Sequence, residues 1–396
     1  MESSTSVAIV GAGLVGCLTA LALARRGCRV TLIEGSDTLL SRASRFNEGK
    51  IHLGFTYGLD PTGETQARMF AYGATFEKSL SDLLSTSLDG LFLHRRCVYA
   101  VLRDCLLPDD AIAQHMAGIT RLHEEFVASG GATPAPDGPL VDRLDKAALE
   151  ELFSAQIVAA YEVGEPIIDC ERLRDLVRDA VRSEPGIACI TGMAIHAIED
   201  GRRPSIVGRN GERFNGFDRV INAAWDGLPA IEKNSGRPAS GHCLRAKTGF
   251  VADIVRGALP HPVSFVWGMY GDIVPWSDGQ AYLSWYPSCR MGFSTDISAG
   301  SAWFDAIKET FDFESAYAES RRAFAAFVPG LAFADRPVET RAGAILAHAS
   351  TDLQDPASGL HQRTKFGVSR FGSIQTVNTG KLSCAPALAL ELAGSI

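Results

Sequence analysis

No run of 18 apolar residues occurs in the 396-residue chain, so no membrane-spanning helix is expected. Positive charge is not in excess either. The 38 Lys and Arg stand against 46 Asp and Glu, and a formal net charge of -8 argues against broad binding to nucleic acid. The cysteines, at 17, 28, 97, 105, 170, 189, 243, 289 and 384, are odd in number and contain no CxxC pair, which reads as a reduced, cytoplasmic chain with no metal site. The apolar stretch near the start follows Glu2, has no basic segment before it and stops at Arg25, so it is not expected to be a signal peptide. No internal repeat is evident. What remains is 46% hydrophobic and 21% charged, an ordinary globular composition, and the length points to two domains.

The first 34 residues read as strand, turn, helix and strand. Ser6 to Val10 is apolar and β-branched, Leu14 to Arg25 is rich in Ala and Leu, and Cys28 to Glu34 is again strand-like. Between the first strand and the helix lies Gly11-Ala12-Gly13-Leu14-Val15-Gly16, the context in which a GxGxxG match carries meaning. Gly11 allows the tight turn, Gly13 lets the backbone approach a pyrophosphate, and Gly16 lets helix and strand pack closely, while the helix N-terminus offers free N–H groups to the anion. Glu34 stands 18 residues after Gly16, where a carboxylate accepts from ribose hydroxyls and disfavours a 2′-phosphate. These residues point to a dinucleotide and leave FAD and NAD both open.

Further on, residues 64 to 85 and 172 to 181 have helical spacing, with Gly130, Gly131, Pro134, Pro136 and Pro139 marking a loop between them. Ile187 to Ile190, Ala194 to Ile198, Ser205 to Val207 and Val220 to Ala224 read as strands. Residues 240 to 290 are rich in aromatic and branched residues, as a separate sheet requires. In that region Gly268 to Pro275 and Tyr282 to Pro287 flank an Asp278-Gly279 turn and predict a hairpin. A final helix is expected over Ala385 to Leu392.

Three stretches carry a resemblance. The segment from Ser41 to Tyr57, with Arg42, Ser44, Asn47, Gly49, Ile51, His52 and Gly54, resembles the flavin segment of the D-amino-acid oxidase-like FAD-dependent oxidoreductases. Within that superfamily it is similar to the Asn-x-Gly-x-Ile-His-x-Gly stretch of the hydroxyglutarate dehydrogenases. Asp218 to Trp225 is similar to the family's Val-Val-Asn-Ala-Ala-Gly strand, with Trp225 in place of the glycine after Ala223 and Ala224; a bulky residue there avoids the positive φ that glycine tolerates. Met193 begins what looks like the adenine-reading strand. Asn378 to Ser383, with Gly380, Lys381, Leu382 and Ser383, resembles the Gly-Gly-Lys-Leu-Thr turn of FAD-linked glycerol-3-phosphate dehydrogenase.

The resemblance implies FAD as cofactor. It implies an α/β architecture, with a Rossmann-like FAD-binding domain of the glutathione reductase type and an inserted α+β substrate domain carrying a mostly antiparallel sheet. The FAD-binding domain is expected over 1–85, 155–235 and 335–396, and the substrate domain over 86–154 and 236–334. It further implies flavin contacts from the three stretches, oxidation of a small polar molecule, and oxygen or another electron acceptor.

For catalysis the sequence singles out His52 as a proton relay or covalent flavin attachment point. Lys381 is singled out as an ammonium that tunes the flavin, Tyr270, Trp285 and Tyr286 as pocket aromatics, and Arg341, ahead of Arg245 and Arg363, as a carboxylate clamp. The leading expectation is oxidation of a C–N bond in an amine or amino acid, where no dedicated base is required. The alternative is a C–OH bond, for which His52 is the first base to consider. A flavin monooxygenase is disfavoured, because Gly380-Lys381 replaces the Gly-Asp of that class and Asp226-Gly227 lacks its following serine and arginine. A non-enzymatic flavin-binding scaffold is the remaining possibility.

Overall fold

The computed structural model describes residues 4–132, 138–268, 270–276, 279–298 and 300–396. Pro134 and Pro136 of the expected loop, Met269 of the strand-like piece and Asp278 of the expected turn lie outside the described residues.

The chain opens as its residue types dictate: strand β1 (Ser6–Val10), helix α1 (Leu14–Ala24) and strand β2 (Arg29–Ile33). Helix α1 is apolar around its whole circumference, and all its residues are buried, as expected of a helix covered on every side. It packs against β2 and against the helices Cys170–Ser183 and Ala385–Gly394. Leu18, Leu21 and Leu23 are each fully buried, contributing roughly 1.5–3 kcal/mol apiece.

Strands β1 and β2 lie in a six-stranded sheet whose order is 367–371, 374–378, 219–222, 6–10, 29–33, 187–190. All neighbours in it are parallel except the edge hairpin 367–378. A small antiparallel sheet of Ile195–Glu199, Ser205–Gly208 and Arg213–Phe214 packs beside it and shares a core with β1 and with Val220. The second main sheet has ten strands and is organised around the long strand His242–Arg256, which pairs with Glu339–His348 along most of its length. Its pairings are antiparallel apart from Val263–Val266 against Cys97–Leu102. The expected hairpin is present, as Gly271–Pro275 pairs antiparallel with Gln280–Trp285.

The pairing departs from the expected segment limits in two places. Ile157–Val163 and Glu339–His348 fall within the stretches assigned to the FAD-binding domain, yet both are hydrogen-bonded into the ten-stranded sheet. Helices Asp109–Ala128, Ser301–Thr310 and Phe313–Phe327 were not read from the sequence. The first buries only Ile112, His115, Met116 and Ile119, a narrow stripe on a polar surface. Trp285 is also misplaced as a pocket residue: it packs in the core against Phe265, Phe324 and Phe327.

Candidate active site

The glycine turn after β1 is built as its residues require. Gly11 has φ +100°, and a Cβ there would stand 2.6 Å from the Ala223 carbonyl oxygen; a Cβ on Gly16 would stand 2.0 Å from the Gly11 carbonyl oxygen. Helix α1 therefore sits hard against the turn. It begins without a side-chain cap or an acidic residue in its first turn, which leaves its positive end open to an anion. The Leu14 N–H donates to Ser44 Oγ at 2.9 Å. Glu34 at the end of β2 is held by two backbone donors, accepting from Ala12 N–H and Ser36 N–H, both at 2.8 Å.

From this turn a cavity of about 220 Å³ extends toward the C-terminal turn at 379–382. Its wall includes Gly11, Gly13, Leu14, Val15, Glu34, Arg42, Ser44, Asn47, His52, Ala223, Ala224, Trp225, Tyr286, Arg341, Gly380, Lys381 and Leu382, so residues from all three sequence stretches meet on one surface. The glycine cradle, the uncapped helix end and the adjacent carboxylate of Glu34 suit a dinucleotide, and the residues present fit FAD.

Some expected contacts are not on this wall. Gly16 is spent on helix packing. Ile51 is fully buried, packed into the core around α1. Met193 binds Glu34 through its backbone, donating to the Glu34 carbonyl at 2.9 Å, while its side chain joins the core of the small antiparallel sheet. Ser383 is buried behind the C-terminal turn.

Trp225 departs from the sequence expectation instructively: it does adopt the positive φ, +50°. Its indole Nε1–H donates to the Ala344 carbonyl at 2.8 Å, and its ring packs with Leu228, Leu244 and Leu346. A left-handed bulky residue costs about 1–3 kcal/mol, and these contacts offset that strain. Beside it Asp226 pairs with Arg42 at 2.7 Å, two cavity-lining side chains joining the loop after β2 to the turn at 223–227.

A second, smaller cavity of about 80 Å³ adjoins the first. Among the described residues seven line both: Glu48, Lys50, His52, Lys247, Tyr286, Arg363 and Lys381. Tyr270 lines only the second, with its ring 6.1 Å from that of Tyr286. Arg245 is there as well, its Nε held by Asp352 at 2.9 Å. Arg341, the preferred clamp in the sequence, is engaged elsewhere: it binds Glu339 at 2.8 Å on the wall of the larger cavity.

The boundary layer is rich in cations. Lys50, buried at 3% exposure, bonds Asp272 at 2.7 Å and also contacts Ser264. Lys247 lies 4.0 Å from Glu48 and 4.6 Å from the centre of the Tyr286 ring. Burial alone would push the Glu48 carboxyl up, but Lys247 and Lys381 outweigh it and hold the group well below the usual carboxylate range. Burial likewise raises the Tyr286 phenol, and Lys247, Arg245 and Lys381 reverse that, bringing it below its ordinary value. Lys381 is lowered by burial and then by Arg363. His52 is lowered by burial and then by Lys381, against the pull of Glu165, so its imidazole is held neutral more readily than a free one.

Sequence reasoning named His52, Lys381, Tyr286, Arg245 and Arg363 but missed Glu48, Lys50 and Lys247. Glu48 and Lys50 alternate with the motif residues Asn47, Gly49 and Ile51 and were open to recognition by that position. Lys247 sits inside a strand whose pairing the sequence does not reveal.

Comparisons with known proteins agree with this geometry. The family model described as DAO, FAD dependent oxidoreductase, matches residues 6–371. Among solved structures, glycine oxidase from Geobacillus kaustophilus superposes with a TM-score of 0.68 at 15% identity, covering 99% of this chain and 95% of that one. L-alpha-glycerophosphate oxidase from Mycoplasma pneumoniae, solved with FAD bound, superposes with a TM-score of 0.67 at 18% identity, covering 100% and 95%. A tRNA 5-methylaminomethyl-2-thiouridine biosynthesis bifunctional protein of Ectopseudomonas mendocina is 36% identical over 81 residues, 20% of this chain and 12% of that protein. No helix among the described residues is long and apolar enough to cross a membrane.

Proposed function

Starting from the fact that this chain belongs to the DAO family of FAD-dependent oxidoreductases, we propose that it oxidises the C–OH bond of a small anionic substrate held in the second cavity. One observation carries the reading: His52, a buried imidazole whose pKa is lowered, lines the boundary between the two cavities amid a cationic wall. Alcohol oxidation needs a base for the hydroxyl proton, and a neutral histidine at the boundary supplies one. Lys50, Arg245, Lys247, Arg363 and Lys381 line the second cavity against Glu48 and Asp272, a balance that favours an anion over an ammonium.

FAD, when bound, supplies the two-electron acceptor. The glycine turn, Glu34, Arg42, Asn47 and the 379–382 turn are the residues to hold it. The chain's own groups then divide the work. Arg245 and Arg363 orient the substrate anion, His52 takes the hydroxyl proton, and Tyr286 and Tyr270 exclude water from the reacting carbon.

Oxidation of a C–N bond, the sequence's first preference, has one feature in its favour. Glu48 is an ionised carboxylate at the same boundary and pairs naturally with an ammonium; its charge is, however, already shared between Lys247 and Lys381. Anaerobic mixing of the FAD-loaded protein with 2-hydroxy acids, polyol phosphates, amino acids and N-methyl amines separates the two. Bleaching of the flavin absorbance by the hydroxyl compounds is expected. Bleaching by the amines alone overturns the reading.

A further inference from the structure

Glu165 is 0% exposed and carries no part of the reading above, yet it is built into the back of the boundary layer. The chain at 164–168 runs beside the chain at 49–53: Lys50 and Ile167 form an antiparallel bridge, and Ile51 N–H donates to the Pro166 carbonyl at 2.8 Å. This brings Glu165 Oε1 to 3.4 Å from His52 Nδ1. Two further donors fix the carboxylate, Leu53 N–H on Oε2 at 2.9 Å and Tyr99 O–H on Oε1 at 2.7 Å, with Thr56 Oγ1 at 3.1 Å from the Tyr99 hydroxyl.

The two ring nitrogens of His52 face different surroundings. Nδ1 is buried and has no aligned hydrogen-bond partner among the described residues, although a carboxylate oxygen lies beside it; Nε2 looks toward Glu48 at 4.0 Å on the cavity wall. A carboxylate behind one nitrogen of a histidine, with the other nitrogen toward a cavity, is the arrangement that fixes a tautomer. Catalytic hydrogen bonds of this kind are often long without substrate and tighten when it binds.

We propose that Glu165 is the positioning residue for His52, holding the imidazole with its hydrogen on Nδ1 so that Nε2 accepts the proton of a substrate hydroxyl. The inference rests on the C–OH reading. In the step, the hydroxyl O–H bond breaks and its proton forms the N–H bond at Nε2. The carbon-bound hydrogen leaves with its electron pair to the two-electron acceptor that the family's activity supplies, and the carbon becomes a carbonyl. The resulting imidazolium is stabilised by the charge of Glu165. A purely structural Glu165 needs only to accept from Leu53 N–H and Tyr99 O–H, which a neutral amide does at lower cost than a buried carboxylate.

The charged and titratable groups facing His52 are Glu165, Glu48, Lys50, Lys381 and, with its ring centre 6.1 Å away, Tyr57. Burial opposes the charge on Glu165, and His52, Lys50 and the Leu53 N–H together hold its carboxyl below the usual range. Glu165→Gln removes the negative charge and should lower kcat/KM for the hydroxyl substrate by on the order of 10²–10⁴-fold. It should also move the acid limb of the kcat/KM profile to lower pH, because the imidazolium loses its stabilising partner. Tyr99→Phe takes a donor away from Glu165, strengthens its pull on the His52 proton and should move the limb to higher pH.

The same opposed shifts are expected in the His52 ring titration, followed by NMR in the FAD-free protein and assigned with His52→Gln, so a variant with poor turnover still reports. Unmoved limbs and titrations in both variants overturn the inference. Should His52→Gln leave hydroxyl-substrate turnover intact, the functional reading falls instead, and the two failures are distinguishable.

Discussion

Trp225 offers a direct test of how the cofactor-side turn is held, because two substitutions remove the same indole and differ only in what they ask of the backbone. Trp225→Gly and Trp225→Ala both lose the Nε1–H bond to Ala344, about 0.5–1.5 kcal/mol. Both also lose the packing of a half-buried ring on Leu228, Leu244 and Leu346, roughly 1.5–3 kcal/mol. The alanine variant, which keeps the left-handed backbone, should therefore be less stable than the parent by about 2–4 kcal/mol, and the glycine variant by somewhat less, still below the parent because relief of the backbone strain is smaller than the stabilisation the indole provides. At φ +50° glycine then sits without penalty, while alanine carries a left-handed cost of roughly 1–2 kcal/mol, partly offset by glycine's greater entropy in the unfolded chain, about 0.5–1 kcal/mol. The alanine variant should fall below the glycine variant by about 0.5–1 kcal/mol. Urea unfolding of the three FAD-free proteins, with the slope unchanged, reads the differences. An alanine variant equal to or more stable than the glycine variant refutes the strain, and a glycine variant more stable than the parent refutes the claim that the indole outweighs it.

Glu34→Ala should weaken FAD binding about 10–100-fold by removing a ribose acceptor and freeing the Ala12 and Ser36 amides, measured by quenching of flavin fluorescence; unchanged affinity removes the ribose assignment. Lys381→Met should slow flavin reduction or reoxidation in stopped flow while leaving the melting temperature within a few degrees; unaltered kinetics place Lys381 outside the chemistry. His348 packs its ring 3.9 Å from that of His242, and burial followed by the charge of His242 lowers its pKa from 6.5 to about 4. The unfolded chain then binds the extra proton between those values, so this stability is present above pH 6.5 and is lost as pH falls toward 4. His348→Gln should flatten the fall in melting temperature across that window, and an unchanged slope removes the pair from the account.

Residues 6–34 were legible because strand, turn and helix there are set by local composition, and the role of Gly16 follows from its contact with Gly11 in the same turn, whereas the close approach at Gly11 is to Ala223, more than 200 residues away. The Asn47 to Gly54 motif and the 378–383 turn were readable as residue types, and the structure brings both to one cavity. What was not legible depends on partners distant in sequence. Lys247 reaches the boundary because its strand, His242–Arg256, pairs with strands that set it opposite Arg290 and Gly343, some 40 and 100 residues later. Glu165 has no motif around it, and its position behind His52 comes from the bridge between Lys50 and Ile167. Arg341 attracted attention by its place before an apolar run, but its own strand also supplies Glu339, which takes up the guanidinium. At Trp225 the expectation that a bulky residue avoids the positive φ failed, because the bond to Ala344 and the packing on Leu244 and Leu346 that hold the indole come from segments the sequence does not place beside it.

The interleaving of the two large sheets also bears on how the chain matures. It enters the parallel sheet at 6–33, leaves for the ten-stranded sheet at 97–163, returns at 187–222, leaves again at 242–348 and returns at 367–378. The strand that flanks β1 on one side is made more than 200 residues after it, and the next strand outward more than 350 after it. During synthesis the glycine turn is therefore present long before it has walls. A ribosome-bound N-terminal half has β1, β2, Ile187–Ile190 and the helix Cys170–Ser183 to lay against the apolar helix, but lacks the strands 219–222 and 374–378 and the helix Ala385–Gly394, so completing this core depends on closing long loops.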